Sequence, residues 1–596
     1  MKSRVLFYRL TLLAVLITGL SLFRATPAAA EFPSAAIPTS VNVITLSVNP
    51  NRAKVKQEVT MTATVTTNNK AAKGGTVSFF DGKLALGSAQ VVGKKPAKGY
   101  TTGTATMTLI VAPGSHAVTA VYGGTAASPK IVRSKPVALK VTGKTSSTTL
   151  LTAKANAQHP KNYDFTASVG GFGLAAPEST VDFTDVTAST DLGTATLDPK
   201  TVSHSFGKAQ VTNASGAPVQ SVVADFNGDG YPDVATSNAV FGPSTIAVFL
   251  GKANGEFQSP VSYPTGYFTS GIVSGDFNND GILDLLAMSQ DGTIALFLGN
   301  GDGTFWKPQT DSIGGLPVAI VLGDFNRDGI LDFATIDYFA NTTSISLGKG
   351  DGTFDSPVPY AVGSGPYYMA TADFNRDGYQ DLAVVNDNDN TVSVLLGNGD
   401  GTFQAEKTYS VGGQVEFVTT GDLNRDGNQD IVVANYADEN IGVLLGKGDG
   451  TFKPQITYKV GGPDSGLAIA DLNGDGIPDI AVSYYHPSQL GVLLGKGDGT
   501  FETVREYDTA QTQGYEVTIA DLNGDGAPDL ISSDLHASIS VLLNLTVAKA
   551  KLTNVVVPGT SKDVEEIVAK YSGDSRYAGS KSKPIKVKGS GGKANP

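Results

Sequence analysis

Seven times between Asp225 and Asp529 the chain repeats Asp-x-Asn-x-Asp-Gly-x-x-Asp, a nine-residue loop with oxygen-bearing side chains at positions 1, 3, 5 and 9. Position 7 varies freely, as expected of a residue that contributes only its backbone carbonyl. With that residue included, the first three ligand sets are Asp225, Asn227, Asp229, Tyr231 and Asp233; Asp276, Asn278, Asp280, Ile282 and Asp284; and Asp324, Asn326, Asp328, Ile330 and Asp332. The fourth and fifth are Asp373, Asn375, Asp377, Tyr379 and Asp381, then Asp422, Asn424, Asp426, Asn428 and Asp430. The last two are Asp471, Asn473, Asp475, Ile477 and Asp479, then Asp521, Asn523, Asp525, Ala527 and Asp529. Hard oxygen ligands suit Ca²⁺ and exclude a conventional structural zinc site. Gly at position 6 permits the sharp turn that lets alternate side chains converge. Asn-Gly and Asp-Gly also form turns without metal. A turn does not need three carboxylates, however, and the 21 loop acids repel one another unless a counterion is present. The expectation is about seven bound Ca²⁺ ions. An EF-hand is excluded, because Thr236 and Ala287 stand where its twelfth-position carboxylate belongs.

Other chemistries lack their parts. There is no Cys, so no disulfide, thiolate site or cysteine nucleophile exists. The five His (His116, His159, His204, His486, His536) are scattered, and no nucleophile elbow, phosphate loop or zinc-protease motif occurs. The expectation is a non-enzyme. Two carboxylates meeting across repeats, as in a polysaccharide hydrolase or lyase, is the alternative, and a purely structural surface protein is a second one.

The elements that must position the loops follow from the spacing. Successive loops start 51, 48, 49, 49, 49 and 50 residues apart. Each unit carries four short runs of strand character, shown in the fourth copy by Tyr368–Ala372, Leu382–Val385, Val392–Leu396 and Lys407–Val411, with a Gly397-Asn-Gly-Asp-Gly-Thr-Phe403 hairpin before the last. Four antiparallel strands per unit match a propeller blade, and radial closure removes exposed edges. The final unit lacks a fourth strand, and the segment from Phe206 to about Thr212 is expected to supply it.

These loops, with their Leu-Gly-x-Gly-Asp-Gly-Thr-Phe hairpins, resemble FG-GAP/VCBS repeats, the blades of integrin-α-type propellers and of some bacterial surface proteins and lectins. The resemblance covers residues 206–544 and implies the propeller fold and calcium, with adhesion, sugar binding and, occasionally, service as companions to enzymes as the known roles. Two departures stand out. Position 3 is always Asn where the integrin-like pattern often has Asp, which implies weaker binding, and the hairpin Gly251–Phe257 lacks its Asp.

The flanks read as two immunoglobulin-like sandwiches. Thr76-Val-Ser-Phe-Phe-Asp and Leu86-Gly-Ser-Ala recur as Thr180-Val-Asp-Phe-Thr-Asp and Leu192-Gly-Thr-Ala. The end of the first sandwich, Ala117-Val-Thr-Ala-Val-Tyr122 and Ser134-Lys-Pro136, recurs only after the propeller, as Ile567-Val-Ala-Lys-Tyr571 and Ser582-Lys-Pro584. The expected fold is all-β: a seven-bladed propeller (205–545) inserted into a split sandwich (144–204 plus 546–589), preceded by another sandwich (41–143). A signal peptide (1–30), a linker (31–40) and a flexible tail (590–596) complete it. Lys2, Arg4 and Arg9 ahead of an apolar run to Phe23, then Ala28-Ala29-Ala30, point to secretion or the cell surface, with the periplasm as the other compartment. After cleavage no segment is long enough to span a membrane. The net charge of −12 disfavours nucleic acid. The expected state is a monomer that binds an extracellular protein or carbohydrate. Chain direction places the loops and hairpins on one face with the sandwiches. The opposite face is left free, with Tyr267-Phe268, Tyr338-Phe339, Tyr367-Tyr368, Tyr436, Tyr484-Tyr485 and Tyr515.

Overall fold

Among the described residues, short Val- and Thr-rich runs punctuated by Gly and Asp fold into strands, with one turn of 3₁₀-helix at Tyr436–Asp438. The computed structural model describes residues 41–590 apart from 55–56, 68–75, 82–83, 91, 94–101, 111–113, 123–131, 146, 173–175, 215, 240–242, 253 and 561. The expected signal peptide and linker, and the tail beyond Ser590, lie outside the described residues. No described helix is long and apolar enough to cross a membrane.

Seven four-stranded antiparallel sheets occupy the central region. Sheet one consists of Pro218–Ala224, Asp233–Asn238, Pro243–Phe249 and Val261–Tyr267. Sheets two to six repeat that order, with inner strands beginning at Thr269, Pro317, Pro366, Val415 and Asp464. Sheet seven takes Gly514–Ala520, Asp529–Asp534 and Ser538–Leu542 from its own unit and Gln210–Asn213 from upstream. Each inner strand packs on the inner strand of the next sheet, and Gly514–Ala520 returns to Pro218–Ala224, so the ring closes as a propeller. The second strand of each sheet is almost wholly buried, for example Asp381–Asn386 and Asp430–Asn435. Its Leu, Val and Ile side chains fill the clefts between sheets, where they meet hairpin rings such as Phe403 and Phe452.

Two sandwiches flank the ring in sequence. In the first, Val41–Asn49, Glu58–Thr67 and Thr102–Ile110 face a sheet built on Thr76–Asp81, Gly114–Tyr122 and Val137–Thr142, over a core that includes Val59, Met61, Phe79 and Val118. In the second, the strands come from both sides of the propeller. Tyr163–Phe172 pairs with Asn544–Val555, and Thr180–Asp185 pairs with Val564–Tyr571. The matched landmarks keep one register: Val77 faces Tyr122 and Phe79 faces Ala120, as Val181 faces Tyr571 and Phe183 faces Ala569.

Phe206 differs from the sequence expectation. It ends a sandwich strand, Asp198–Phe206, and the strand that completes sheet seven is Gln210–Asn213. Phe206 nevertheless pairs with Asn544 as Phe257 pairs with Gly251 and Phe403 with Gly397, and its ring meets Tyr507 edge-on at 5.1 Å. A hairpin phenylalanine has been kept, and the hairpin itself has been replaced by two strands running on into the sandwich.

Candidate functional site

Each acidic loop joins the first strand of a sheet to its second, and both the turn and the burial follow from its residue types. Position 6 is a Gly with φ between 82° and 87° in all seven copies, a conformation that costs L side chains. The fourth loop shows the wiring. Asp373 accepts Asp377 N at Oδ1 (3.2 Å) and Gly378 N at Oδ2 (2.9 Å). Asn375 accepts Asp377 N (2.9 Å) and donates to Asp377 Oδ2 (2.8 Å), and Asp377 Oδ1 accepts Tyr379 N (2.8 Å).

Position 9 has a second job. Asp381 Oδ2 accepts Phe374 N at the loop's start and Oδ1 accepts Gly397 N in the following hairpin, each at 2.8 Å. The equivalent pair of bonds recurs in every sheet: Asp233 to Phe226 and Gly251, Asp284 to Phe277 and Gly299, Asp332 to Phe325 and Gly348, Asp430 to Leu423 and Gly446, and Asp479 to Leu472 and Gly495. In the seventh, Asp529 holds Leu522 N and Asn544 N. All seven position-9 residues are fully buried. Each position-9 carboxyl thus ties the start of its loop to the segment after the third strand, so these aspartates brace the blade independently of any ion.

The carboxylates of a loop are brought together closely enough to feel one another. Burial, and then the charges of Asp373 and Asp377, push Asp381 up to about 7 against the pull of its two backbone bonds. The same causes push Asp332 and Asp479 to about 7 and Asp233 and Asp430 to about 6. At position 1, Asp324, Asp373, Asp422 and Asp471 are raised, burial being the first cause. Among the described residues no group of three or more His, Cys, Asp or Glu stands ready to hold a metal ion. The donor set fits a hard cation all the same. Its side-chain donors at positions 1, 3, 5 and 9 are Asp and Asn oxygens, the carboxylates of a loop raise one another, and buried acceptors such as Asp324 Oδ1 and Asn523 Oδ1 have no hydrogen-bond partner.

Neighbouring loops are also clasped, which the repeat pattern did not reveal. Arg376 donates to the carbonyls of Asp426 (3.0 Å) and Gly427 (3.1 Å) in the next loop, and Arg327 lies over the Tyr379 ring at 5.1 Å.

At the opposite face the aromatic residues divide into two groups. Tyr484 and Phe268 are buried packing residues, and Tyr368 reaches across the channel. It stacks on Phe417 at 3.8 Å, and its hydroxyl accepts from Gln220 Nε2 of sheet one at 3.1 Å. Nearby, buried Glu516 accepts Ser221 N (2.6 Å) and Ser221 Oγ (3.0 Å). Glu516 was not a sequence candidate; a lone acid among inner-strand equivalents that are otherwise Gln, Gly, Ala, Tyr or Phe was the available signal. Around the mouth, the Tyr367 and Tyr515 hydroxyls are 3.4 Å apart, Tyr338 meets Tyr367 edge-on at 6.4 Å, and Tyr436 meets Tyr485 at 6.4 Å. Tyr267 and Phe339 are exposed.

A family model described as FG-GAP-like repeat matches residues 225–287, 276–335, 324–384, 373–433, 422–482 and 471–532, and one described as bacterial Ig-like domain (group 3) matches residues 46–142. No curated protein matches the chain. Among solved structures, a Bacteroides uniformis protein described as a 6-phosphogluconolactonase is 15% identical with a TM-score of 0.40, covering 56% of this chain and 98% of its own. The periplasmic gluconolactonase of Pseudomonas aeruginosa is 16% identical with a TM-score of 0.41, covering 60% and 100%. A Chaetomium thermophilum Polycomb Repressive Complex 2 chain is 8% identical with a TM-score of 0.40, covering 57% and 97%. At these scores the three likenesses bear on no functional question.

Proposed function

The chain belongs to the FG-GAP-like repeat family, and from that premise we propose that it is an exported, calcium-loaded binding module whose protein or carbohydrate ligand docks at the channel mouth opposite the acidic loops. FG-GAP-like repeats build ligand-binding or adhesion-type propellers and are typically non-enzymatic. The observation that carries the reading is the ring of phenols around that mouth. Tyr338, Tyr367, Tyr436, Tyr485 and Tyr515 come from five different sheets, and the Tyr367 and Tyr515 hydroxyls are 3.4 Å apart. Tyrosine offers flat apolar area and a polar tip at low conformational cost, which suits both sugar rings and protein side chains. Calcium would be held by positions 1, 3, 5 and 9 and the carbonyl of position 7, where its charge offsets the crowded carboxylates and stiffens the ring. The two sandwiches then act as the stalk, because the chain enters and leaves the ring on the acidic-loop side, through Phe206 and Asn544. Ig-like and FG-GAP-like domains are common in extracellular proteins, consistent with the basic and apolar segment ahead of Ala30.

The test is a glycan and surface-protein binding screen with and without chelator, followed by Tyr367→Ala and Tyr515→Ala. Each substitution is expected to weaken the captured ligand about tenfold or more, as removal of a binding hot spot does, with an unchanged melting temperature. Binding that survives both changes, or that is lost only when the acidic-loop face is altered, overturns the docking assignment.

A further inference from the structure

The seventh acidic loop is unlike the other six. In loops one to six, positions 3 and 5 are exposed or half-buried. In the seventh, Asn523 is 7% exposed, Asp525 3%, and Ala527 and Asp529 are fully enclosed. What covers it is the split sandwich. Phe172, on the sandwich strand Tyr163–Phe172, packs into the cluster that holds Leu522 and Leu543. Tyr577, itself 2% exposed, lies close enough to Asp525 that, after burial, this carboxylate is the next cause raising its hydroxyl.

The wiring changes as well. In the first six loops the position-3 amide closes on position 5, as Asn227 does with Asp229 and Asn473 with Asp475. Asn523 makes neither bond, and both its Oδ1 and Nδ2 are buried without a hydrogen-bond partner. A buried, unsatisfied amide costs roughly 1–3 kcal/mol, and here it stands at a ligand position between Asp521 and Asp525. The third change is at position 9. Asp529 accepts Asn544 N at 2.7 Å, and Asn544 is the first residue of the sandwich strand Asn544–Val555. The Asn544 side chain in turn donates to the carbonyls of Leu472 (2.7 Å) and Pro528 (3.0 Å), tying loops six and seven to the strand that leaves the ring.

We infer that the seventh loop holds an enclosed calcium ion at the junction between ring and sandwich. Asn523 Oδ1 serves it as a ligand, and it exchanges only when the sandwich lifts away. This rests on the reading of the acidic loops as calcium sites. Six ions sit in loops open to solvent and one in a loop roofed by a domain, so release of the last requires local opening of the junction.

The experiment loads the full chain with calcium, adds a strong chelator, and counts ions per chain against time by native mass spectrometry. One ion is expected to outlast the others by about tenfold or more, the factor that even 1.4 kcal/mol of local opening imposes. Asp525→Asn is expected to abolish that slow ion, whereas Asp377→Asn, in an open loop, removes one fast ion and leaves the slow one. Asn523→Ala deletes only an amide without hydrogen bonds and serves as the milder variant; it should weaken the site, so that a smaller share of chains carries the slow ion. Release of all ions in one phase, or a slow ion that persists undiminished in both seventh-loop variants, overturns the inference while leaving the loops as calcium sites. A chain that carries no ion at millimolar calcium overturns both.

Discussion

Glu516 is a buried acid outside the acidic loops. It lies in the ring's channel, where its carboxylate accepts the amide and hydroxyl of Ser221, whose Oγ is also 2.7 Å from Thr518 Oγ1. Burial outweighs those bonds and pushes its carboxyl up to about 8. The titratable groups around it are Tyr368, raised well above its ordinary value by burial and by Glu516's own charge, and Tyr515, raised to about 12, so both stay neutral while Glu516 titrates. The folded protein therefore binds a proton that the unfolded chain releases near its ordinary value of 4.5. Stability from this group is complete below that value and is lost as pH rises toward about 8, beyond which it changes no further. Glu516→Gln stays neutral throughout. Melting curves at fixed calcium from pH 5 to pH 9 should show the variant gaining on the wild type as pH rises, with the gap levelling off above about 8. A gap independent of pH would mean that the carboxyl is already ionised in the fold.

Among elements, the strand Gln210–Asn213 has a role no other outer strand has. It pairs with Ser538–Leu542 across more than three hundred intervening residues and closes the ring. Replacing it with a Gly/Ser segment of equal length should leave Ser538–Leu542 as an open edge, a template for pairing between molecules. The expected result is a lower melting temperature and self-association on size exclusion. The same replacement of Lys407–Ser410 in sheet four, whose unit carries its own hairpin, should cost less and leave the ring closed. Much of this level was legible in the sequence because a repeat read seven times corrects its own ambiguities: the strand order, the hairpin phenylalanines and the glycine turns all recur in phase. The family and the all-β class could be read for that reason. What could not be read depends on residues that meet only after the ring closes. Tyr368 crossing to Gln220 and Asn544 standing where six other sheets have Gly are each single departures from the repeat, which a pattern search discards as noise, and the arginine that recurs at Arg327, Arg376 and Arg425 gives no sign in sequence that Arg376 reaches the next loop. Tyr484 ends the wholly buried strand Asp479–Tyr484, whereas Tyr485 lies just past its end and meets Tyr436.

For the whole molecule, the question is how much of the ring's stability depends on its ions. Packing between sheets and the position-9 braces exist without metal, since each aspartate already holds two backbone amides. The metal-free ring should therefore fold, but with seven clusters of opposed carboxylates inside it. A ligand that binds only the folded state stabilises it by RT ln(1 + [L]/Kd), about 1.4 kcal/mol per site at ten times Kd. Across seven sites, each at ten times its own Kd, that is about 10 kcal/mol, comparable to the whole stability of an ordinary domain. Calorimetry in millimolar calcium and in excess chelator should then show the propeller transition fall by on the order of 10 °C or more. The first sandwich, whose strands bear none of the acidic loops, should melt at the same temperature in both. The second sandwich should follow the propeller rather than the first sandwich, because Asp529 and Asn544 tie its strand to the seventh loop. If chelator shifts neither transition, the loops are acidic turns and the braces alone hold the ring. If it shifts the propeller and leaves the second sandwich in place, the two are coupled by chain connection and not by the loop.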